Sequence, residues 1–257
     1  MSGPALVILG PLVPALLIFA GLRRWTRAAA ICGFASTLLL ALLIAAVNLQ
    51  PDLASTGFLS GGELSFLGRA LLLTTAVRRV LLIVYAASAL LFLLSALWSQ
   101  GPDFVPAGLA SLSPLGFALL VTPLAFGAVA LLVAAALLSA LVQAQQPGST
   151  LASLRYLLLT ALATPVLLVA GWLIESQQLA LGGAVWRLLV LGATLLLAGF
   201  PFHIWVRPLF NEAHPLTAVF VLAPVQLVIF SFIWRWLQQN PNLLSSTDLG
   251  VYLGWSG

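Results

Sequence analysis

Charge is what this sequence has least of. Six acidic and ten basic residues, all ten arginine because the chain has no lysine, make up 6% of its 257 residues. Soluble domains carry roughly 25%. Hydrophobic residues fill 62% of the chain and its mean hydropathy is +1.14, which excludes a soluble globular domain and leaves a polytopic membrane protein. A single cysteine, Cys32, excludes a disulfide framework within the chain; inside an apolar run it reads as a small hydrophobe. The arginines are spread along the chain, so the net charge of +4 fits snorkelling side chains at helix ends and argues against a nucleic-acid surface.

Chemical signatures are scarce as well. No glycine-rich phosphate loop, nucleophile elbow or dinucleotide fingerprint occurs, so no catalytic centre and no cofactor site are expected. Two histidines and one glutamate lie near one another with no cysteine beside them, short of the three or four ligands a metal needs, and no metal site is expected. Repeats of the solenoid kind are absent too.

What is present is a succession of apolar runs. Residues 4–22 form the first, with no basic region ahead of it, and read as a retained span rather than a cleaved signal. Arg23, Arg24 and Arg27 precede the second, residues 28–49; each run is near the ~20 residues that cross a bilayer core. The basic cluster is predicted to face the cytoplasm, which places the N-terminus and residues 50–79 outside. Arg78 and Arg79, just before the third span (80–98), weigh against that orientation. The outer segment holds Pro51, a Gly61-Gly62 turn signal and three pieces too short to span; a hairpin, an interfacial helix and an ordinary linker all fit it.

A polar connection covers residues 99–107. Residues 109–144 are too long for one untilted helix and contain Pro114 and Pro123, so a split near 123–127 is predicted, with the direction of every later helix depending on it. After a connection at 143–150 containing Pro147-Gly148, the sixth span is 154–174 with Arg155 at its start. The seventh is 181–200, with Arg187 near an end. The eighth is 216–237, kinked at Pro224, with Gln226 as its only strongly polar interior side chain and Trp234-Arg235-Trp236 as an interfacial anchor. Residues 249–255 look like the beginning of a further helix. The expected fold is all-α: a single transmembrane domain over 1–257, with about eight helices. Residues 1–107 hold three initial helices and the outer segment, 108–237 a five-helix unit, and 238–257 a tail or the start of another helix.

Residues 199–215 carry the most polar segment lying between two long apolar runs. Pro201, Pro208 and Pro215 fall seven apart, so no regular helix is expected to cross it. Broken backbone at membrane depth survives only inside protein or beside water, which makes this a candidate pathway element. Its ionisable groups, His203, Arg207, Glu212 and His214, are the candidate proton-pathway residues. A histidine titrates near neutral pH, and a carboxylate can orient it. The competing reading is that His203 and His214 cap broken helix ends.

Phe200-Pro-Phe-His-Ile-Trp205, followed by Asn211-Glu-Ala213 and an apolar run ending in Arg235, resembles the antiporter-like subunits of respiratory complex I, the M-type subunit most of all, with relatives in Mrp antiporters and membrane-bound hydrogenases. In that family a pattern of the type K-x-P-x-F-P-F-H-x-W-L-P-D-A-H-x-E-A-P runs into a helix closing on arginine. His203, Trp205, Glu212, Ala213 and Arg235 fall on its matching positions in one register. Residues 65–98 resemble the family's third-helix region more weakly. The resemblance implies a membrane-arm subunit of an NADH:quinone oxidoreductase type of assembly. It implies a bacterial inner membrane as the location, and other membrane-arm subunits and the lipid bilayer as partners. It also implies that any enzyme label belongs to the complex rather than to this chain. The family usually has two inverted halves, and the helices here correspond to its initial helices and first repeat; a short form and an incomplete chain both fit.

The departures are specific. The family's proton-handling lysines fall at Leu196 and Leu227 here, and the glutamate of its fifth helix has no counterpart, since no acid occurs between Asp103 and Glu175. Two functions follow as alternatives: a transporter-type subunit that takes part in redox-coupled proton movement, or a degenerate member kept for assembly with no conduction of its own.

Overall fold

The structure is a computed structural model that describes residues 2–22, 24–47, 63–66, 68–98, 100–143, 150–176, 182–199 and 202–239. The Gly61-Gly62 signal, the Pro147-Gly148 connection, Phe200-Pro201 and the tail with its expected helix at 249–255 lie outside these residues.

Nine helices are described. They are α1 (Gly3–Leu17, continued by a π-turn over Ile18–Leu22), α2 (Thr26–Ala46), α3 (Thr75–Leu97), α4 (Phe104–Leu120), α5 (Ala125–Gln143), α6 (Thr150–Glu175), α7 (Gly182–Leu196), α8 (Val206–Glu212) and α9 (Pro215–Gln239). Six of them, α1, α2, α3, α5, α6 and α9, are long and apolar enough to cross a membrane. The chain is an integral membrane protein by that measure. Helix is the natural state of such runs, because in hydrocarbon every backbone donor and acceptor must be satisfied within the segment.

The ninth helix corrects the expectation of about eight. It is the short α8, inside the stretch that no regular helix is expected to cross. Pro208 and Pro215 fall in the first turns of helices instead of preventing them. Pro208 is the third residue of α8 and Pro215 the first of α9, positions whose N–H has no intrahelical acceptor, so the missing donor costs nothing. Pro224 needs a different accommodation and lies inside the π-turn Val221–Val225 that interrupts α9.

In the segment 50–79, whose residues up to Gly62 lie outside those described, residues 63–72 form a hairpin. Strands β1 (Glu63–Phe66) and β2 (Arg69–Leu72) pair antiparallel, with Gly68 at φ 72 in the turn, a left-handed conformation that glycine adopts without penalty. A two-residue strand, β3 (Val121–Thr122), adds to β2 and makes a small three-stranded sheet that an all-α expectation did not contain. The same β3 marks the split between α4 and α5. It falls at residues 121–124, with a cis Thr122-Pro123 bond, while Pro114 stays inside α4.

Consecutive long helices run antiparallel, the finish of α2 meeting the start of α3 through Arg78 Nη1 and the Val47 carbonyl, so the bundle has two ends. The hairpin end carries the starts of α1, α3, α5 and α7 and the finishes of α2, α4, α6 and α9. The opposite end carries the rest, together with α8. Every charged side chain on α2, α3, α6, α7 and α9 lies no more than five residues from an end of its helix. Among the described residues Arg24, Arg27, Arg155 and Arg207 fall at the opposite end and Arg69, Arg78, Arg79, Arg187 and Arg235 at the hairpin end. With the arginines this evenly shared, basic-residue counting favours neither orientation.

At the centre is α4, buried around nearly its whole circumference and touching α1, α2, α3, α5 and α9. A helix apolar on all sides belongs there. Toward the opposite end Phe92, Phe104 and Phe220 form an aromatic cluster joining α3, α4 and α9, with ring centroids 5.8, 6.0 and 6.3 Å apart. Toward the hairpin end Gly127 lets α5 approach α4 and α9: a Cβ there would meet the Phe232 ring at 2.5 Å and the Ala118 carbonyl oxygen at 2.9 Å. Because one of those neighbours is backbone, Gly127→Ala is expected to cost about 1–3 kcal/mol, the range of overpacked cores. The check is the thermal midpoint in detergent beside Gly21→Ala, whose added methyl meets nothing within 4 Å. Equal midpoints for the two variants would refute it.

Candidate functional site

At 15 residues α7 is about 22 Å long, short of a hydrocarbon core of about 30 Å. It starts at the hairpin end and stops at Leu196, inside the bundle. Its finish is built as a Schellman turn: Ala198 takes φ 56 and the Gly199 N–H donates to the Thr194 carbonyl at 2.9 Å. Alanine in the left-handed region is strained where glycine would not be. The end of the helix still leaves carbonyls to satisfy, and Gln226 Nε2 donates to Leu196 O at 3.4 Å. Gln226 sits eleven residues into α9, about 16 Å from its start, so this contact lies near mid-depth. Its own Oε1 is buried with no hydrogen-bond partner.

From this break the chain returns to the opposite end through a 3-10 turn, Phe202–Trp205, and α8. Three contacts pin it to the first two turns of α6. Trp205 is 1% exposed, its ring 5.0 Å from that of Tyr156. Arg155 Nη1 donates to the Ile204 carbonyl at 3.4 Å. The Ala152 N–H donates to Glu212 Oε2 at 3.0 Å. Ala152 is in the opening turn of α6, where the N–H groups have no intrahelical acceptor and the helix dipole favours an anion. Glu212 therefore acts as a cap supplied by a distant part of the chain.

The four residues singled out in the sequence share one segment but face different ways. Glu212 turns to α6. His214, half-buried, holds the position before α9, and its carbonyl accepts from the Ala218 N–H at 2.9 Å with no side-chain cap bond. Its side chain lines a cavity of about 440 Å³ with Trp98, Gln100, Pro215 and Leu216. His203 and Arg207, four residues apart, are both exposed. Among the described residues no group of three or more His, Cys, Asp or Glu is placed to hold a metal.

Sequence reasoning gave Gln226 only as a polar oddity and passed over Tyr156. A glutamine in the middle of an apolar span was the available signal, since such a side chain needs an acceptor or donor within reach. The partner, a carbonyl freed by a helix end, depends on where α7 stops.

Comparisons with protein-family models, with curated proteins and with solved structures give no match. Fold and site together define a polytopic integral membrane protein with one helix discontinuous at mid-depth.

Proposed function

We propose that this chain is a membrane-arm subunit of a redox-linked, complex I-like assembly that holds a structural place among other helical subunits and has no proton route of its own. The reading rests on the resemblance around His203 and Glu212. One structural observation carries it further. Leu196 and Leu227, where the resembling family has lysines, flank the single hydrogen bond from Gln226 to the Leu196 carbonyl. The break that would need a titratable group at mid-depth is thus closed by two leucines and a neutral amide. Discontinuous helices at that depth are a transporter device, which supports common ancestry with conducting subunits. The pinning of the returning chain to α6 supports a role in holding shape.

The test is affinity purification from its native membrane in mild detergent, with the co-purifying polypeptides identified by mass spectrometry. Other polytopic subunits of a quinone-linked complex are expected in fixed proportion. An isolated monomer under every mild condition, competent in ion transport, would overturn the reading.

A further inference from the structure

On the side of the bundle away from the broken helix, α1 and α5 flank α4 without touching each other closely, and α4 presents small or ring side chains between them: Ala110, Ser113, Pro114 and Phe117. Ser113 spends its hydroxyl on the Ile8 carbonyl at 2.7 Å, so the floor of this groove offers little polarity. The groove encloses about 690 Å³, walled by Ile8 and Leu12 on one side and by Phe126 to Leu137 on the other. From Phe126 to Leu137 its wall rises about 16 Å along α5, close to one leaflet, half of a hydrocarbon core of about 30 Å.

Its mouth is at the hairpin end and is basic. Arg69, exposed on β2, holds its guanidinium carbon 4.1 Å from the centre of the Phe126 ring and also lines the groove. It makes no ion pair among the described residues. The nearest acid along the hairpin, Glu63, lies three strand positions away by register, roughly 10 Å. An arginine so placed has a planar face on an aromatic ring and its N–H fork left for an oxygen anion.

We propose that this groove binds an anionic glycerophospholipid of the leaflet at the hairpin end, with its phosphate on Arg69 and an acyl chain lying on α4 between α1 and α5. The part nearest the hairpin is long enough for an acyl chain of one leaflet before the groove runs on, past Leu12 and Ala110, into a smaller cavity of about 340 Å³. The groove's lining is apolar from Phe126 inward, and among the described residues the only charge lining it is of the sign that selects an anionic headgroup over a zwitterionic one. A neutral quinone would have use for the apolar trough but none for an unpaired guanidinium at the interface.

The experiment is native mass spectrometry of the full chain in a neutral detergent, titrated with phosphatidylglycerol, with phosphatidylcholine of the same acyl chains, and with a long-tailed quinone. Phosphatidylglycerol is expected to be retained at least fivefold more than phosphatidylcholine. Arg69→Gln should remove that preference, while Arg79→Gln, which alters an exposed arginine at the same end, should keep it. Ala110→Phe, which fills the floor, should lower retention of both lipids; thermal midpoints of all variants establish that they are folded. Equal retention of the two lipids by the wild-type chain would overturn the proposal, as would selectivity surviving Arg69→Gln or displacement of phosphatidylglycerol by the quinone. None of these outcomes depends on which complex the chain joins.

Discussion

Trp205→Ala is expected to cost about 3–5 kcal/mol, the largest loss for any single truncation in the returning segment. Everything about its setting points to packing as the force that holds residues 202–212 in place. The segment consists of one 3-10 turn and a helix of seven residues, too short to be stable by its own backbone hydrogen bonds. Of its three contacts with α6, the Arg155 bond is long and exposed and the Glu212 cap is worth about 1 kcal/mol by analogy with capping side chains. That leaves the Trp205 ring, 1% exposed against Tyr156, as the main anchor. Trp205→Phe should recover more than half of the loss, and Glu212→Gln should lose only about the capping increment. The measurement is the thermal midpoint in nanodiscs, paired with the rate of tryptic cleavage at the exposed Arg207. A Trp205→Ala protein with an unchanged midpoint and unchanged cleavage would show that a partner surface, not α6, holds the segment.

Much of this architecture was legible because membrane helices announce themselves by length and composition alone. Each of the eight expected spans contains a helix, six of them long and apolar enough to cross a membrane and two, α4 and α7, shorter, and the 109–144 run divided at Pro123 as its length requires. What sequence could not give was the fate of individual prolines. Pro114, Pro165 and Pro224 sit within helices whereas Pro208 and Pro215 sit at helix starts. The difference depends on which turn the ring occupies, not on its presence. The roles of the polar residues were hidden for a related reason. Glu212 reads as a free acid in sequence, yet its partner is a backbone N–H sixty residues earlier, visible only once α8 is laid on the start of α6. The hairpin register was equally out of reach, since the turn falls at Gly68 and neither flanking strand exceeds four residues.

A chain reconstituted alone in liposomes is expected to hold an imposed pH gradient as long as empty vesicles do, and lysine at Leu196 is expected to unfold the protein rather than open a route. The first half follows from where the ionisable groups are. His203, Arg207, Glu212 and His214 all lie between the break and the opposite end, and from Gln226 to the hairpin end α9 offers no ionisable side chain before Arg235. A proton route through that half needs titratable groups or water at short intervals, and leucine, valine and phenylalanine supply neither. The second half follows from burial. Leu196 is 4% exposed, and its carbonyl is already engaged by Gln226. A lysine there meets no carboxylate among the described residues, and a charge at mid-depth costs about 2.5–3.5 kcal/mol even on insertion scales that allow for relaxation. Leu196→Met, which keeps volume and polarity close to leucine, should leave the midpoint within about 1.5 kcal/mol of wild type. The readout is a pH-sensitive dye inside the vesicles alongside the detergent midpoint of each variant. A flux well above empty vesicles that disappears in His203→Ala, or a folded Leu196→Lys protein that conducts, would show that the break at α7 still serves proton transfer.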